Sequence, residues 1–373
     1  METLRKMQVL CDYAQYDLCD YSNDIKQSNA NLPGIYHATS NGCKIPIFKV
    51  LMTNKCIFDC KYCINQSKHE FTRLELEPQE IADVFIDYYQ KNYVHGLFLS
   101  SGIINSPDHT MENMIEVARI LRKNYGYNDY IHLKIVPGAS KDSIKRAMAL
   151  SNRVSINFES ATSDGLSEIS PTKSFKKDIF RRFRWIDSIK KKNKKLVPSG
   201  ATTQFVIGAN NETDHEILSS IKSLYKNLNI QRSYFSAFNP VTGTEFENKE
   251  KCSSKRTAQL YHGEALINSY KFDIDEIVFD ENGLLSEDED PKYLSALNMN
   301  IFPVEINSAP LHELLRVPGI GPKSASKIIS IRKKMPFKTI NELKKLGVVV
   351  GRAEPFIKLK GNFQTSLDFY YNV

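Results

Sequence analysis

The strongest constraint on this chain is a rhythm. Between residues 45 and 240, short runs rich in β-branched and aromatic residues alternate with longer stretches of helical period. The runs are 45–53, 94–100, 130–136, 153–159, 201–207 and 232–238. The helical stretches are 78–92, 111–125, 140–150, 175–194 and 212–228, with one more over 254–270. Repetition of this kind marks parallel βα units, because a strand needs a crossover of a dozen or more residues before its parallel neighbour. Pro78 followed by Glu80 suits a first helical turn, and Gly126 suits a C-terminal cap. Six units fall short of a closed eight-stranded barrel. The expected class is therefore α/β: an open, partial (β/α)6 barrel with its site at the carboxyl ends of the strands. An extension over 1–44 precedes a barrel over 45–285. The acidic run 286–291 opens a linker, 286–302, and a small all-α domain takes 303–373.

Charge is uneven. Between Pro303 and Lys360 there are twelve Lys and Arg against four acids, an excess larger than the whole chain's net +7. The C-terminal part is thus the basic part, which favours a polyanionic partner. A second basic concentration, Arg181, Arg182, Arg184, Lys190, Lys191, Lys192, Lys194 and Lys195, falls on one helical stretch, with Trp185 as its core anchor. Such a run is a solvated face or a further nucleic-acid contact. No run of eighteen apolar residues occurs and the N-terminus lacks the apolar stretch of a signal peptide, so a cytoplasmic protein without membrane attachment is expected. Seven cysteines, an odd count, argue against a disulfide framework and for metal or redox chemistry.

Directly after the first strand comes Cys56-Ile57-Phe58-Asp59-Cys60-Lys61-Tyr62-Cys63, a C-x3-C-x2-C spacing that folds three thiolates around one small object. Three ligands leave one metal site open, whereas a closed zinc or ferredoxin-type site wants a fourth. A cubane held by three cysteines keeps one iron free to chelate a substrate or cofactor. The other reading is a structural zinc or redox cluster with Cys43 recruited as fourth ligand. Cys11, Cys19 and Cys252 are isolated and read as small packing residues.

The spacing, with Tyr62 before the third cysteine, resembles the radical S-adenosylmethionine superfamily. The resemblance implies a 4Fe-4S cluster on Cys56, Cys60 and Cys63, with S-adenosyl-L-methionine chelated by the free iron. It implies an external electron donor such as flavodoxin or ferredoxin, and a 5′-deoxyadenosyl radical. Ser100, Ser101 and Gly102, ending the second strand, resemble the segment that contacts the methionine amino group. Gln204 to Glu212, with Ile207 and Gly208, resembles the adenine-packing segment. Ser155, Asn157 and Glu159 alternate onto one face of the fourth strand, and polar groups facing inward need a partner, so Asn157 and Glu159 are expected to meet cofactor ribose or substrate. Ser236 and Phe238, after the sixth strand, offer a hydroxyl and a ring to flank a planar base.

In the tail, residues 310–329 read as helix, tight hairpin, helix around Pro318-Gly319-Ile320-Gly321. Two glycines permit a sharp bend, Pro322 begins the second helix, and N–H groups there point at an anion such as a phosphate. Lys323, Lys327, Arg332 and Lys333 add counter-charge. The pattern resembles the helix-hairpin-helix motif, with 337–357 a degenerate second copy. Nearly the whole chain is similar to a family of bacterial radical S-adenosylmethionine proteins described as acting in DNA modification or repair, although Ser160-Ala161 stands after Glu159 where that family has Leu-Pro. The implied activity is radical chemistry on a base or sugar of DNA, with RNA an open substrate class. Two alternatives differ in kind. A glycosylase/lyase would use Lys323 as nucleophile, yet Asn341 stands where such enzymes need a carboxylate. A redox-sensing DNA binder would carry a fully ligated cluster.

Overall fold

The structure is a computed structural model that describes residues 2–14, 32–40, 43–359 and 362–363. Cys19 lies outside the described residues. Compactness divides the chain into a first unit, Met1–Glu212 with Ser223–Ser253, and a second, Thr213–Lys222 with Ser254–Val373.

In the first unit, helix α1 (Glu2–Ala14) is followed by strands β1 (Ile35–Ser40) and β2 (Cys43–Leu51). The chain then alternates through α2 (Pro78–Gln90), β3 (Gly96–Ser100), α3 (Pro107–Lys123), β4 (Tyr130–Lys134), α4 (Lys141–Leu150) and β5 (Arg153–Ser155). It continues through α5 (Ser163–Ile169), a wider π-helical turn (Phe175–Phe180), α6 (Arg181–Lys192), β6 (Ala201–Ile207), α7 (Asp214–Leu228), of which residues 214–222 are grouped with the second unit, and β7 (Arg232–Ala237). The seven strands lie in chain order in one curled sheet; β2 to β7 are all parallel and β1 joins β2 antiparallel. Strand after strand added on the same side is the outcome of repeated right-handed crossovers, and it produces the expected half-barrel.

Local chemistry sets the boundaries. β3 and β6 are buried throughout, as strands covered on both faces must be. Ser106, Ser140 and Thr162 each accept a hydrogen bond from the first turn of α3, α4 and α5, satisfying N–H groups that have no partner within the helix. Phe158 stacks between Phe183 at 4.8 Å and Phe205 at 5.9 Å, with Phe175 on its edge at 5.4 Å, and this aromatic column joins β5, β6 and the π-helical turn.

Two features depart from the sequence pattern. The extension over 1–44 carries α1 and β1, which pack on β2, so the sheet has an antiparallel edge strand beyond the six expected. The fifth strand keeps a regular ladder only to Ser155, because Glu159 has a φ of 66° and both Phe158 N–H and Glu159 N–H donate to the Gln204 carbonyl. Two donors on one acceptor make a bulge, which period-two alternation cannot foretell.

The second unit holds α8 (Ser254–Asn268), α9 (Pro291–Leu297), β8 (Val304–Glu305), α10 (Leu311–Arg316), α11 (Pro322–Arg332), α12 (Ile340–Lys344), α13 (Val350–Ala353), β9 (Ile357–Leu359) and β10 (Asn362–Phe363). Leu314, Val317, Ile320, Ile328, Leu343 and Phe356 are buried in its core. The region is helical, as expected, with a small sheet in the order β10-β9-β8 in addition. Strands of two and three residues are too short to leave a period in the sequence. α8 belongs to this unit, where it packs with α9.

Phe158→Ala removes the centre of the aromatic column and is expected to destabilise the first unit by about 3–5 kcal/mol, read as a lower denaturation midpoint at unchanged slope.

Candidate active site and nucleic-acid interface

The cysteine loop leaves the carboxyl end of β2 and is fastened along its length. Asn54 is buried and exchanges hydrogen bonds with the backbone of Thr72 and Leu74. Arg73 donates to four carbonyls, those of Asn54, Asn65, Gln66 and His69, and so ties the loop's start to its end. Ile57 N–H bonds the Ile103 carbonyl at 2.8 Å and Lys61 N–H the Ile169 carbonyl at 2.9 Å. Asp59 accepts from Thr172 Oγ1 at 2.6 Å. Gly102 allows this close approach: a Cβ there would collide with the Lys55 carbonyl.

Cys56, Cys60 and Cys63 all face one cavity of about 500 Å³ at the carboxyl ends of the strands. Of the residues singled out from sequence, Tyr62 lines it from the loop, Ser100, Ser101 and Gly102 from the end of β3, and Asn157 and Glu159 from beyond β5. Gln204 reaches it from β6, and Ser236 and Phe238 from β7 and its end. Ile207 does not line it; the side chain is buried and its carbonyl accepts from Phe238 N–H. Ser155 is also elsewhere, bonded to His132 at 2.8 Å. Gly208 lies against Cys252. Ser160 donates to buried Glu212, which also accepts from Thr162 N–H, and this local bonding occupies the position where a Leu-Pro loop was expected.

Residues that no sequence signal marked also line the cavity: Tyr13 from α1, Asn65, Lys134 and Lys173. Lys173 forms an ion pair with Glu159 at 3.2 Å, both side chains 6% exposed, and Glu159 also accepts from Asn157 at 3.2 Å. Burial works against the Lys173 ammonium, but Cys60 and Glu159 outweigh it and hold its pKa above the ordinary lysine value. Burial, then the neighbouring thiols, push the Cys63 pKa up, and burial raises Cys60 against the pull of Lys173. Tyr62 is raised by burial first and then by the Glu159 carboxylate. A buried pair of this kind survives only with close mutual contact, so Glu159 is a fixed wall group.

The cavity fits a cluster with a polar ligand. Ser100 Oγ and Asn65 Oδ1 are buried without a hydrogen-bond partner among the described residues, and both residues line the cavity. An orphaned buried polar atom is costly, so these two atoms mark where a bound group would complete the bonding. Cys43 is exposed at the far end of β2, and eight residue steps of strand put it about 26 Å from Leu51, out of reach as a fourth ligand. Cys11 and Cys252 are buried, as packing residues are.

In the second unit the hairpin between α10 and α11 has the expected form. Gly319 has a φ of 81° and accepts Val349 N–H at 3.0 Å, so the degenerate second copy serves as a support for the first. No side chain caps α11 at Gly321, and Lys323, Lys327 and Lys333 are exposed around it. Pro318 and Ile320 are buried core residues. Arg332 is committed inward, donating to the Ile306 carbonyl at 2.7 Å. Lys292 donates to the Ile320 carbonyl at 2.7 Å and sits 4.2 Å from the centre of the Tyr270 ring. Across a trans peptide the C=O and the next N–H point opposite ways, so this bond turns Gly321 N–H away from Lys292. Lys323 pairs with no carboxylate among the described residues, and Asn341 supplies none.

Comparison with known proteins agrees with both parts. The model of the radical SAM superfamily matches residues 50–224, and that of a helix-hairpin-helix motif matches residues 299–349. Members of that superfamily use a 4Fe-4S cluster and S-adenosylmethionine. No curated protein matches the chain. Among solved structures, methylornithine synthase PylB is similar at 13% identity over 59% of this chain and 61% of that one, with a TM-score of 0.46. The hydrogenase maturase HydG from Carboxydothermus hydrogenoformans is similar at 17% identity over 59% and 51%, TM-score 0.45. A radical SAM methyltransferase from Sphaerobacter thermophilus is similar at 12% identity over 75% and 92%, TM-score 0.44. The chain spans about three-fifths of the first and half of the second. Among the described residues no helix is long and apolar enough to cross a membrane.

Two outcomes follow from this geometry. Gly102→Ala is expected to displace the cysteine loop and lower iron and sulfide per chain after anaerobic reconstitution, while circular dichroism keeps the helix content of the native chain. Burial pushes the Lys292 pKa down to about 7 from the ordinary 10.5, so between those values the unfolded chain binds the extra proton. The second unit's stability from this group therefore rises with pH across that window, and Lys292→Met flattens the rise in denaturation profiles.

Proposed function

We propose that this enzyme, which carries a radical S-adenosylmethionine domain over residues 50–224 and a helix-hairpin-helix motif over 299–349, performs radical chemistry on nucleic acid, with DNA as the substrate. The observation that carries the reading is the conjunction, in one chain, of a three-thiol cavity with orphaned polar atoms and a hairpin whose second helix starts uncapped.

Cys56, Cys60 and Cys63 would hold the cluster, with S-adenosylmethionine bound beside it in the same cavity. When bound, the pair supplies the 5′-deoxyadenosyl radical that takes a hydrogen atom from substrate. Ser100 Oγ and Asn65 Oδ1 bond the cofactor's polar end. Asn157 and Glu159, the latter held by Lys173, take its ribose. Ser101, Gln204, Ser236 and Phe238 complete the wall. Ile103, Ile135, Val136, Pro137 and Val206 belong to the apolar part of that wall, which would keep solvent and stray hydrogen donors away from the reacting centre. The hairpin grips the sugar-phosphate backbone through the Gly321 and first-turn N–H groups of α11, with Lys323, Lys327 and Lys333 adding charge. The reaction is modification or repair at a base or sugar. Flavodoxin or ferredoxin, the external donors of the cytoplasm, supply the electron.

The test is anaerobic cleavage of S-adenosylmethionine to 5′-deoxyadenosine by reconstituted protein. Duplex DNA is expected to raise the rate severalfold. Cys60→Ala abolishes cleavage, and Lys323→Glu with Lys327→Glu removes the stimulation while keeping the basal rate. Cleavage indifferent to both DNA and RNA would contradict the substrate assignment.

A further inference from the structure

The helix formed by the π-helical turn and α6 separates its cations into two groups. Arg182 is buried and donates to the carbonyls of Ala139, Lys177 and Gly138, with its guanidinium 5.0 Å from the centre of the Trp185 ring. Lys190 donates to the Val197 carbonyl at 2.7 Å. These two belong to the packing of the barrel. The others stay outside: Lys177, Arg181, Arg184, Lys192, Lys194 and Lys195 are exposed and have no ion pair among the described residues.

Helical spacing explains the division. Phe183, Ile186 and Ile189 are buried on one side, and Arg181, Arg184 and Lys192 fall on the opposite arc. The acids nearby are already engaged. Asp187 pairs with Lys191 at 2.7 Å and Asp178 accepts Ser174 N–H at 2.8 Å. On α4, which packs beside α6, Asp142 pairs with Arg146 at 2.9 Å, while Lys141 and Lys145 are exposed. A solvated helix normally balances its charges along its face. This one does not: its exposed side chains, Lys176, Lys177, Arg181, Arg184, Lys191 and Lys192, are all cations, and α6 alone is about 18 Å long.

We infer that the exposed face of residues 176–195 is a second grip on the sugar-phosphate backbone of the nucleic acid, carried by the barrel itself. The inference rests on the nucleic-acid reading above and deepens it. A row of unpaired cations of this length matches a polyphosphate, whose charge recurs at every nucleotide, better than a compact acidic protein. Each phosphate neutralised releases counterions, so the contact adds to the salt dependence given by the hairpin, and substitution on this face alone removes its share.

The experiment measures binding of the full-length protein to duplex DNA, and to an RNA hairpin, across a salt series. It compares wild type with a variant carrying Arg181→Gln, Arg184→Gln and Lys195→Gln. The substitutions are on the surface, and the cluster's visible absorption reports that the barrel is intact. Three lost contacts are expected to flatten the slope of log affinity against log salt by about 2 to 3, with the largest loss of affinity at low salt. Which probe shows the change distinguishes DNA from RNA. Wild-type binding with an unchanged slope in the variant overturns the second grip alone. A loss of cofactor cleavage confined to reactions driven by reduced flavodoxin, with the nucleic-acid slope unchanged, also overturns it and assigns the face to an acidic redox partner. Wild type that binds neither probe overturns the nucleic-acid reading as well.

Discussion

The coordination number of one loop governs everything else in this molecule. Cys56, Cys60 and Cys63 face a common cavity, and the only other cysteine near in sequence, Cys43, is the length of a strand away. Burial first, and then the repulsion of the neighbouring thiols, raise the Cys63 pKa, and a metal cluster would relieve that cost. The loop has little freedom to rearrange. Arg73 spans it from Asn54 to His69, and backbone bonds from Ile57 and Lys61 pin its two flanks.

The barrel exists in this account to present a wall to that loop. Parallel strands in chain order place every carboxyl end on one rim, so Ser100, Gln204 and Ser236 arrive from three strands without any local sequence relation. The bulge beyond β5 turns Glu159 to meet Lys173, a contact between residues 14 apart along the chain but on different walls of the site.

Much of this was legible in the residues, and the failures have physical causes. β6 and the Ser140-capped helix matched because continuous burial and cap chemistry are local properties. The cysteine triplet was legible because a short loop carries its own spacing. Tyr13, Arg73, Asn65 and Lys173 were not, since none belongs to a pattern: Tyr13 and Lys173 meet Phe71 and Glu159 only in the fold, and Asn65 is marked by an Oδ1 that burial leaves without a partner among the described residues. Ser155 was expected beside Asn157 and Glu159, and it bonds His132, two residues before cavity-lining Lys134 on β4, so it lies beneath the cavity and not in its wall. In the tail, Gly319 was legible as a turn glycine, but its neighbour Val349 and the supporting Lys292 were not, because a hairpin's second layer leaves no motif. Arg332 shows the converse: a cation that a charge count assigns to phosphate is spent on the Ile306 carbonyl.

The claim on which the enzymatic account stands is that one corner of the cluster is vacant and is filled by the cofactor. Electron paramagnetic resonance of the reduced protein, with S-adenosylmethionine labelled by nitrogen-15 at the amino group and oxygen-17 at the carboxylate, tests it directly. The account requires the spectrum to shift on addition and both labels to couple to the cluster. A spectrum that ignores the compound, or a cluster whose fourth corner already carries a protein ligand, would contradict it.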